Sequence, residues 1–292
     1  MSEQKSIYIN PLTDFGFKFL FGQEENKEFL LSFLNALMIG EPTITDVEFV
    51  DKEKVNENKD GRALIYDLHC TMADGSRIIV EMQNRYQTYF EDRALYYLAG
   101  DLYLQSKQGN LWKYQLVPVY GVFMMNFEWK GDLDQQLRED VGLLNMRTHK
   151  LFSNKLRMTF LKIPMMTKDA QSCENMLEKW TYLMKNLESL ESMPKLFMRD
   201  PVFQRLDEVA KVSALNPKDK KDYEESLKIY HDNYAIAETE RAEGLAEGRE
   251  RGRAEEKRAI ARGLLKLGMT DEAISQVTKL PVSQVAALRA SL

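Results

Sequence analysis

Residues 63–83 read ALIYDLHCTMADGSRIIVEMQ, two runs rich in apolar and β-branched residues around a turn. A strand alternates its side chains between two faces, so Glu81 and Gln83 point one way while Val80 and Met82 point the other. An unpaired buried carboxylate costs several kcal/mol, so Glu81 requires a partner. Its partner depends on the register of the hairpin. A two-residue loop at Asp74-Gly75 places Asp67 opposite Met82. A three-residue loop, Ala73-Asp74-Gly75, with Gly75 in a left-handed bulge position, pairs Met72 with Ser76 and Asp67 with Glu81. In the second register Tyr66, Leu68, Cys70 and Met72 share a face with Ile78, Val80 and Met82. The opposite face then gathers Asp67, His69, Thr71, Arg77, Glu81 and Gln83, with Ile65 and Ile79 among them. One apolar face fixes register strongly, so the three-residue loop is predicted.

Two carboxylates on adjacent strands, with Cβ atoms about 5 Å apart, repel unless a cation or proton lies between them. A hard divalent ion held by oxygen ligands is one explanation, and Mg²⁺ leaves room for water and phosphate. The alternatives are a solvated face with both acids in water, or a bridge through Arg77.

The rest of the chain sets the frame. Its 292 residues suggest a main domain plus a smaller unit, and 44% hydrophobic residues suffice for a substantial core. A net charge of −5 gives no global attraction to nucleic acid, so such contact requires a local basic patch. Cys70 and Cys173 are too few for a disulfide framework and form no CxxC, and are read as buried thiols in a reducing compartment. The opening MSEQKSIYIN does not read as a signal peptide, and the longest apolar stretch, near 116–127, is too short to span a bilayer. The expectation is a cytoplasmic protein with no membrane partner.

Residues 13–39 read as helix capped by Thr13 and divided at Gly22, followed by a strand near 44–50. After the hairpin come a helix over 88–107, strands over 115–126 and 156–163, and a further strand near 141–147. This order predicts an α/β (α+β) fold with a mixed sheet flanked by helices. From 168 the pattern is helical. Residues 236–262 are rich in Ala, Glu and Arg, with Gly244, Gly248 and Gly252 at four-residue spacing, a stripe open to two readings: close helix–helix approach or a solvated linker helix. Thr270 and Pro281 begin two short helices, read as a capping or dimerising hairpin more readily than as a DNA reader. The domains expected are 1–167, 168–235 and 236–292.

Four blocks stand in order along the chain: TDFGFKFLFG (13–22), NKEFLLSFLNALM (26–38), IYDLHCTMADGSRIIVEMQ (65–83) and FEDRALYYLAGDLYLQSKQG (90–109). Together they resemble the Rpn family of recombination-promoting nucleases and transposase-like proteins, within the PD-(D/E)xK superfamily. LVPVYGVFMMNF and MTFLKIPMM are similar as well. The resemblance implies a restriction-endonuclease-like sheet core and metal-dependent hydrolysis of DNA. It makes Asp67 and Glu81 metal ligands for Mg²⁺ or Mn²⁺, with the Met82 carbonyl a third. Gln83 stands where the superfamily often has lysine; an amide orients water but brings no charge. Asp14 is a further candidate acid, and Lys18 and Arg93 are candidate phosphate contacts.

The leading expectation is thus a Mg²⁺-dependent DNA endonuclease linked to recombination, mobile elements or phage defence. A homodimer through the C-terminal helix would suit cutting of two strands. The competing reading is a weakly active or inactive scaffold binding nucleic acid or a protein. A third, lower reading is a true transposase, which requires DNA strand transfer and target-site recognition.

Overall fold

The computed structural model describes residues 6–50, 66–106, 113–127 and 136–291. The chain divides into two compact units, Met1–Ile229 and Tyr230–Leu292. In the first, α1 (Asp14–Phe21) and α2 (Lys27–Leu37) precede β1 (Val47–Phe49), β2 (Leu68–Met72) and β3 (Arg77–Gln83). Then come α3 (Phe90–Leu104), β4 (Val119–Met125), β5 (Arg138–Leu144), β6 (Leu151–Lys162), α4 (Met176–Asn186) and α5 (Pro201–Val209). A long helix, α6 (Pro217–Lys266), leads to α7 (Asp271–Thr278) and α8 (Val282–Ala290).

The strands form one six-stranded mixed sheet in the order β1-β2-β3-β4-β6-β5. β3 runs parallel to β4, and β4 to β6; the flanking pairs are antiparallel. The expected mixed sheet flanked by helices is the observed fold. The elements lie where the sequence placed them but start and stop differently: the strand near 44–50 shortens to Val47–Phe49, and the last strand begins earlier, at Leu151. Residues 63–65 of the first hairpin run and residue 107 of the expected 88–107 helix lie outside the described residues.

The hairpin register is that of the three-residue loop: Leu68 pairs with Val80, His69 with Ile79 and Thr71 with Arg77. Gly75 takes φ +81, its N–H reaches the Met72 carbonyl, and Met72 N–H donates to the Ser76 carbonyl at 2.8 Å. A side chain in this left-handed position would be strained, so glycine fixes the loop and the register together.

α3 covers the sheet face that carries Ile79. Phe90, Ala94 and Leu98 pack there with Phe123 and Phe160 in a buried cluster. Close contact needs Gly121: a Cβ at this position would lie 2.6 Å from Leu98 Cδ1. Tyr66 departs from expectation. It packs on the α3 side, with its ring centroid 5.2 Å from those of both His69 and Tyr97, instead of sharing the face of Leu68. The strand begins only at Leu68, so alternation does not govern the residues before it.

α1 and α2 are joined to α4 and α5 by aromatic packing. Trp180 is 1% exposed and contacts the rings of Phe21, Phe29, Phe33 and Phe203. Its indole N–H donates to Ser32 Oγ at 3.0 Å, satisfying the polar group that comes with the ring. α4 and α5 therefore belong to the first unit.

In the second unit Ala261, Leu265, Ile274, Leu280 and Val285 form a small core. The segment 236–262, read as distinct, is part of one uninterrupted helix. Nothing among the described residues approaches the Cβ positions of Gly244, Gly248 or Gly252 within 4 Å, so the stripe lies open. Arg289, the one basic side chain of the last helix, binds Asp271 and the Met269 carbonyl, which fits the capping or dimerising hairpin better than a DNA reader.

Candidate active site

Asp67 and Glu81 interlock where β2 begins and β3 ends. The ladder gives residue 82 a hydrogen-bonded position facing β2, which in a regular hairpin is matched by Tyr66. Instead, Met82 N–H donates to Asp67 Oδ2 at 2.8 Å. Asp67 N–H in turn donates to Glu81 Oε1 at 3.0 Å. The two carboxylates thus satisfy the backbone donors that the parting strands release. Gln83 Nε2 adds a contact of 3.3 Å to Glu81 Oε2.

This face is not solvated. Glu81 is 4% exposed, lying under α3 on the side of Ile79. Burial, and next the negative charge of Asp67, push its pKa up to about 8, against smaller opposing effects from the Asp67 N–H, Arg93 and Gln83. Nor does Arg77 bridge the acids. It turns to Asp101, a fully buried residue of α3, with Nη1 3.1 Å from Oδ1. His69 Nε2 is 3.2 Å from the same oxygen but outside hydrogen-bonding alignment, leaving both ring nitrogens unsatisfied among the described residues.

Gln83 lies at the end of β3, beside Asn84, whose Nδ2 donates to the Leu12 carbonyl at 2.7 Å. That bond brings the start of α1 to the end of β3. At its other end α1 meets β2, since a Cβ at Gly22 would lie 2.8 Å from Leu68 Cδ2. Thr13 caps the helix through Gly16 N–H as expected. Asp14 points outward and is 68% exposed at its side chain, paired with Lys18 one turn on. The structure thus brings Asp67, Glu81 and Gln83 together, whereas Asp14 and Lys18 meet each other. Arg93 Nη1 donates to Gln87 Oε1 at 2.6 Å and its guanidinium lies 6.0 Å from the Tyr97 ring centre, near enough to Glu81 for its charge to act there.

Asp101 was absent from the sequence reading. It stands seven residues after Ala94 and three after Leu98, on the buried stripe of α3. An acid on an apolar stripe was the available signal. Asn84 gave no signal, because its role depends on where α1 returns.

Among the described residues no group of three or more His, Cys, Asp and Glu side chains gathers as metal ligands. The side-chain donors here are two carboxylates. They still fit a hard divalent cation: a buried Glu81 whose ionisation is opposed by the charge of half-buried Asp67 is relieved by positive charge between them. Backbone groups of successive strand residues turn to alternate neighbours, so Met82 directs its carbonyl towards β2 with its N–H.

A sheet with this topology, carrying an aspartate and a glutamate at the split of its central hairpin, defines a nuclease-like α/β protein. A family model described as PD-(D/E)XK nuclease family transposase matches residues 11–240, and the chain belongs to this family. No curated protein and no solved structure matches it significantly. The family supports a nuclease- or transposase-like function, for which DNA is the expected partner and divalent metals the general cofactors. No helix among the described residues is long and apolar enough to cross a membrane.

Proposed function

We propose that the protein is a Mg²⁺-dependent endonuclease that hydrolyses DNA phosphodiester bonds. The observation that carries this reading is the interlocked Asp67–Glu81 pair, with Glu81 buried and Asp67 half-buried. Asp67, Glu81 and the Met82 carbonyl would hold the cation, with Mn²⁺ able to replace it. A bound divalent ion supplies Lewis acidity towards water and phosphate oxygens.

The remaining work falls to the chain. Gln83 places its amide nitrogen on Glu81, so its oxygen is the group that can accept a hydrogen bond from water and orient it. Arg93 brings positive charge to the neighbourhood of Glu81 and serves as a phosphate contact. Lys18, at the solvent edge of α1, is a second such contact, and its partner Asp14 competes for it. The protein acts in recombination, mobile-element movement or phage defence, and a dimer through the C-terminal helix accounts for cutting both strands.

A second reading, a scaffold that binds nucleic acid without efficient cleavage, draws on the neutral Gln83 and on the small side-chain donor set. Nicking of supercoiled plasmid separates the two. Wild type is compared with Asp67→Asn and Glu81→Gln, with Mg²⁺, Mn²⁺ or EDTA. Metal-dependent nicking that falls at least about 100-fold in both variants supports the enzyme. Equal activity in all three proteins refutes it, and the absence of nicking on any DNA form supports the scaffold.

A further inference from the structure

β5 and β6 do not end with the sheet. β4 pairs with β6 only from Leu156 to Lys162, whereas β6 begins at Leu151 and β5 follows it to Leu144. The overhanging residues pair only with each other, forming a two-stranded arm. Its register shifts at Gly142/Leu143 and Leu143/Leu144, irregularities of the kind that bend and re-aim a ribbon.

The tip is built, not frayed. Asn145 Oδ1 accepts from the Arg147 and Thr148 N–H groups, and Asn145 N–H closes the loop on the Lys150 carbonyl at 2.9 Å. Yet its surface is expensive to leave in water: Met146 is 90% exposed and Phe152 78%. Leu144 and Leu151 beside them are about half exposed. An apolar patch on a defined projection marks an interaction surface.

Charge identifies the occupant. No Asp or Glu stands between Asp140 and Asp169, in a chain that holds 45 acids among 292 residues. The other cations of this run are neutralised from outside it: Arg157 by Glu41, Lys162 by Glu139, and Lys168 by Glu178. Arg147, Lys150 and Lys155 have no ion-pair partner among the described residues. A local basic patch therefore lies here, mixed with large apolar side chains.

Resting on the nuclease reading, we propose that this arm is a DNA-docking ribbon: Arg147, Lys150 and Lys155 neutralise duplex phosphates while Met146 and Phe152 enter a groove. β-ribbons fit DNA grooves, and exposed Phe and Met serve as wedges between base steps. Position agrees with this role. Glu81 is level with Phe160 across the sheet, through Phe123. Leu156, where the arm leaves the sheet, is level with Arg77 at the far end of β3 from Glu81, so the arm's contacts fall outside the carboxylate site and lengthen the footprint on a bound duplex. A second copy of the chain is the rival occupant, and charge speaks against it: two such tips repel.

The test is fluorescence anisotropy of a labelled duplex with the full chain in EDTA, across about 50–200 mM salt. Arg147→Gln, Lys150→Gln and Lys155→Gln are combined in one variant, and Met146→Ser and Phe152→Ser in another; four of the five residues are exposed and Lys155 is half-buried. The charge variant is expected to lower the salt-dependence slope by about 2.7, at about 0.9 per phosphate contact, and to raise KM for plasmid nicking with kcat kept. The apolar variant is expected to weaken binding with its slope unchanged. Wild type that binds and nicks, with both variants equal to it, overturns the arm and leaves the nuclease standing. Wild type that binds DNA but never nicks, with the slope lowered in the charge variant, supports the arm and sinks the nuclease. A dimer dissociated by the apolar variant at unchanged DNA affinity hands the arm to a second copy and overturns the proposal.

Discussion

Glu81→Gln in the metal-free protein separates the burden of the buried acid from the rest of the fold. The carboxyl is held at about 8, chiefly by burial and next by Asp67, against 4.5 for the unperturbed group. Above about 4.5 the unfolded chain gives up this proton while the folded chain keeps it. The contribution of Glu81 is therefore intact below that pH, falls as pH rises, and levels off beyond about 8. At about 1.4 kcal/mol per unit, the ceiling is about 5 kcal/mol, with roughly 3 kcal/mol already lost at pH 7. Glutamine keeps an acceptor for Asp67 N–H and never ionises. The variant should match wild type near pH 5 and exceed it in stability by several kcal/mol near pH 9. Urea unfolding in EDTA at a series of pH values measures this difference. A difference that stays constant from pH 5 to 9 would refute the reasoning, because it would mean that Glu81 ionises in the fold as readily as in water. Added Mg²⁺ should reverse the order at high pH, since a cation on Asp67 and Glu81 stabilises only the charged form.

Three further outcomes follow from the packing. Asp101→Ala leaves Arg77 without its buried partner and should cost about 3 kcal/mol, the low end for a broken buried pair because Arg77 is partly exposed; adding Arg77→Met should recover part of this in a double-mutant cycle by urea unfolding. Trp180→Ala removes the ring shared by Phe21, Phe29, Phe33 and Phe203 and should cost about 3–5 kcal/mol, read by the same method. Gly244→Ala, Gly248→Ala and Gly252→Ala should each stabilise α6 by up to about 1 kcal/mol, followed by circular dichroism on heating; a loss of stability would show another helix seated on the stripe.

The hairpin was legible because its constraints are local. An apolar face, a glycine at the one position needing positive φ, and strict alternation together leave a single register. Helix starts at Thr13 and Thr270 were legible for the same reason, a capping hydroxyl followed by an apolar period. The burial of the acidic face was not. Asp67, His69, Arg77 and Glu81 spell a wet surface until α3 is laid over them, and α3 brings its own acid, Asp101, to meet Arg77. Tyr66 was misread because alternation was extended through residues that precede the strand. The overhang of β5 and β6 was invisible, since strand length in sequence does not reveal how many neighbours a strand has. α6 runs unbroken because Ala, Glu, Arg and Lys outweigh the cost of scattered glycines.

The handing of strand amides to carboxylates has a practical consequence for spectroscopy. The N–H groups of Met82 and Asp67 point at the very oxygens whose charge changes when a proton leaves or a cation arrives. Their backbone resonances are therefore built-in indicators: two amide peaks, tracked through a titration with acid or Mg²⁺, report occupancy of Asp67 and Glu81 without any label, substrate or turnover.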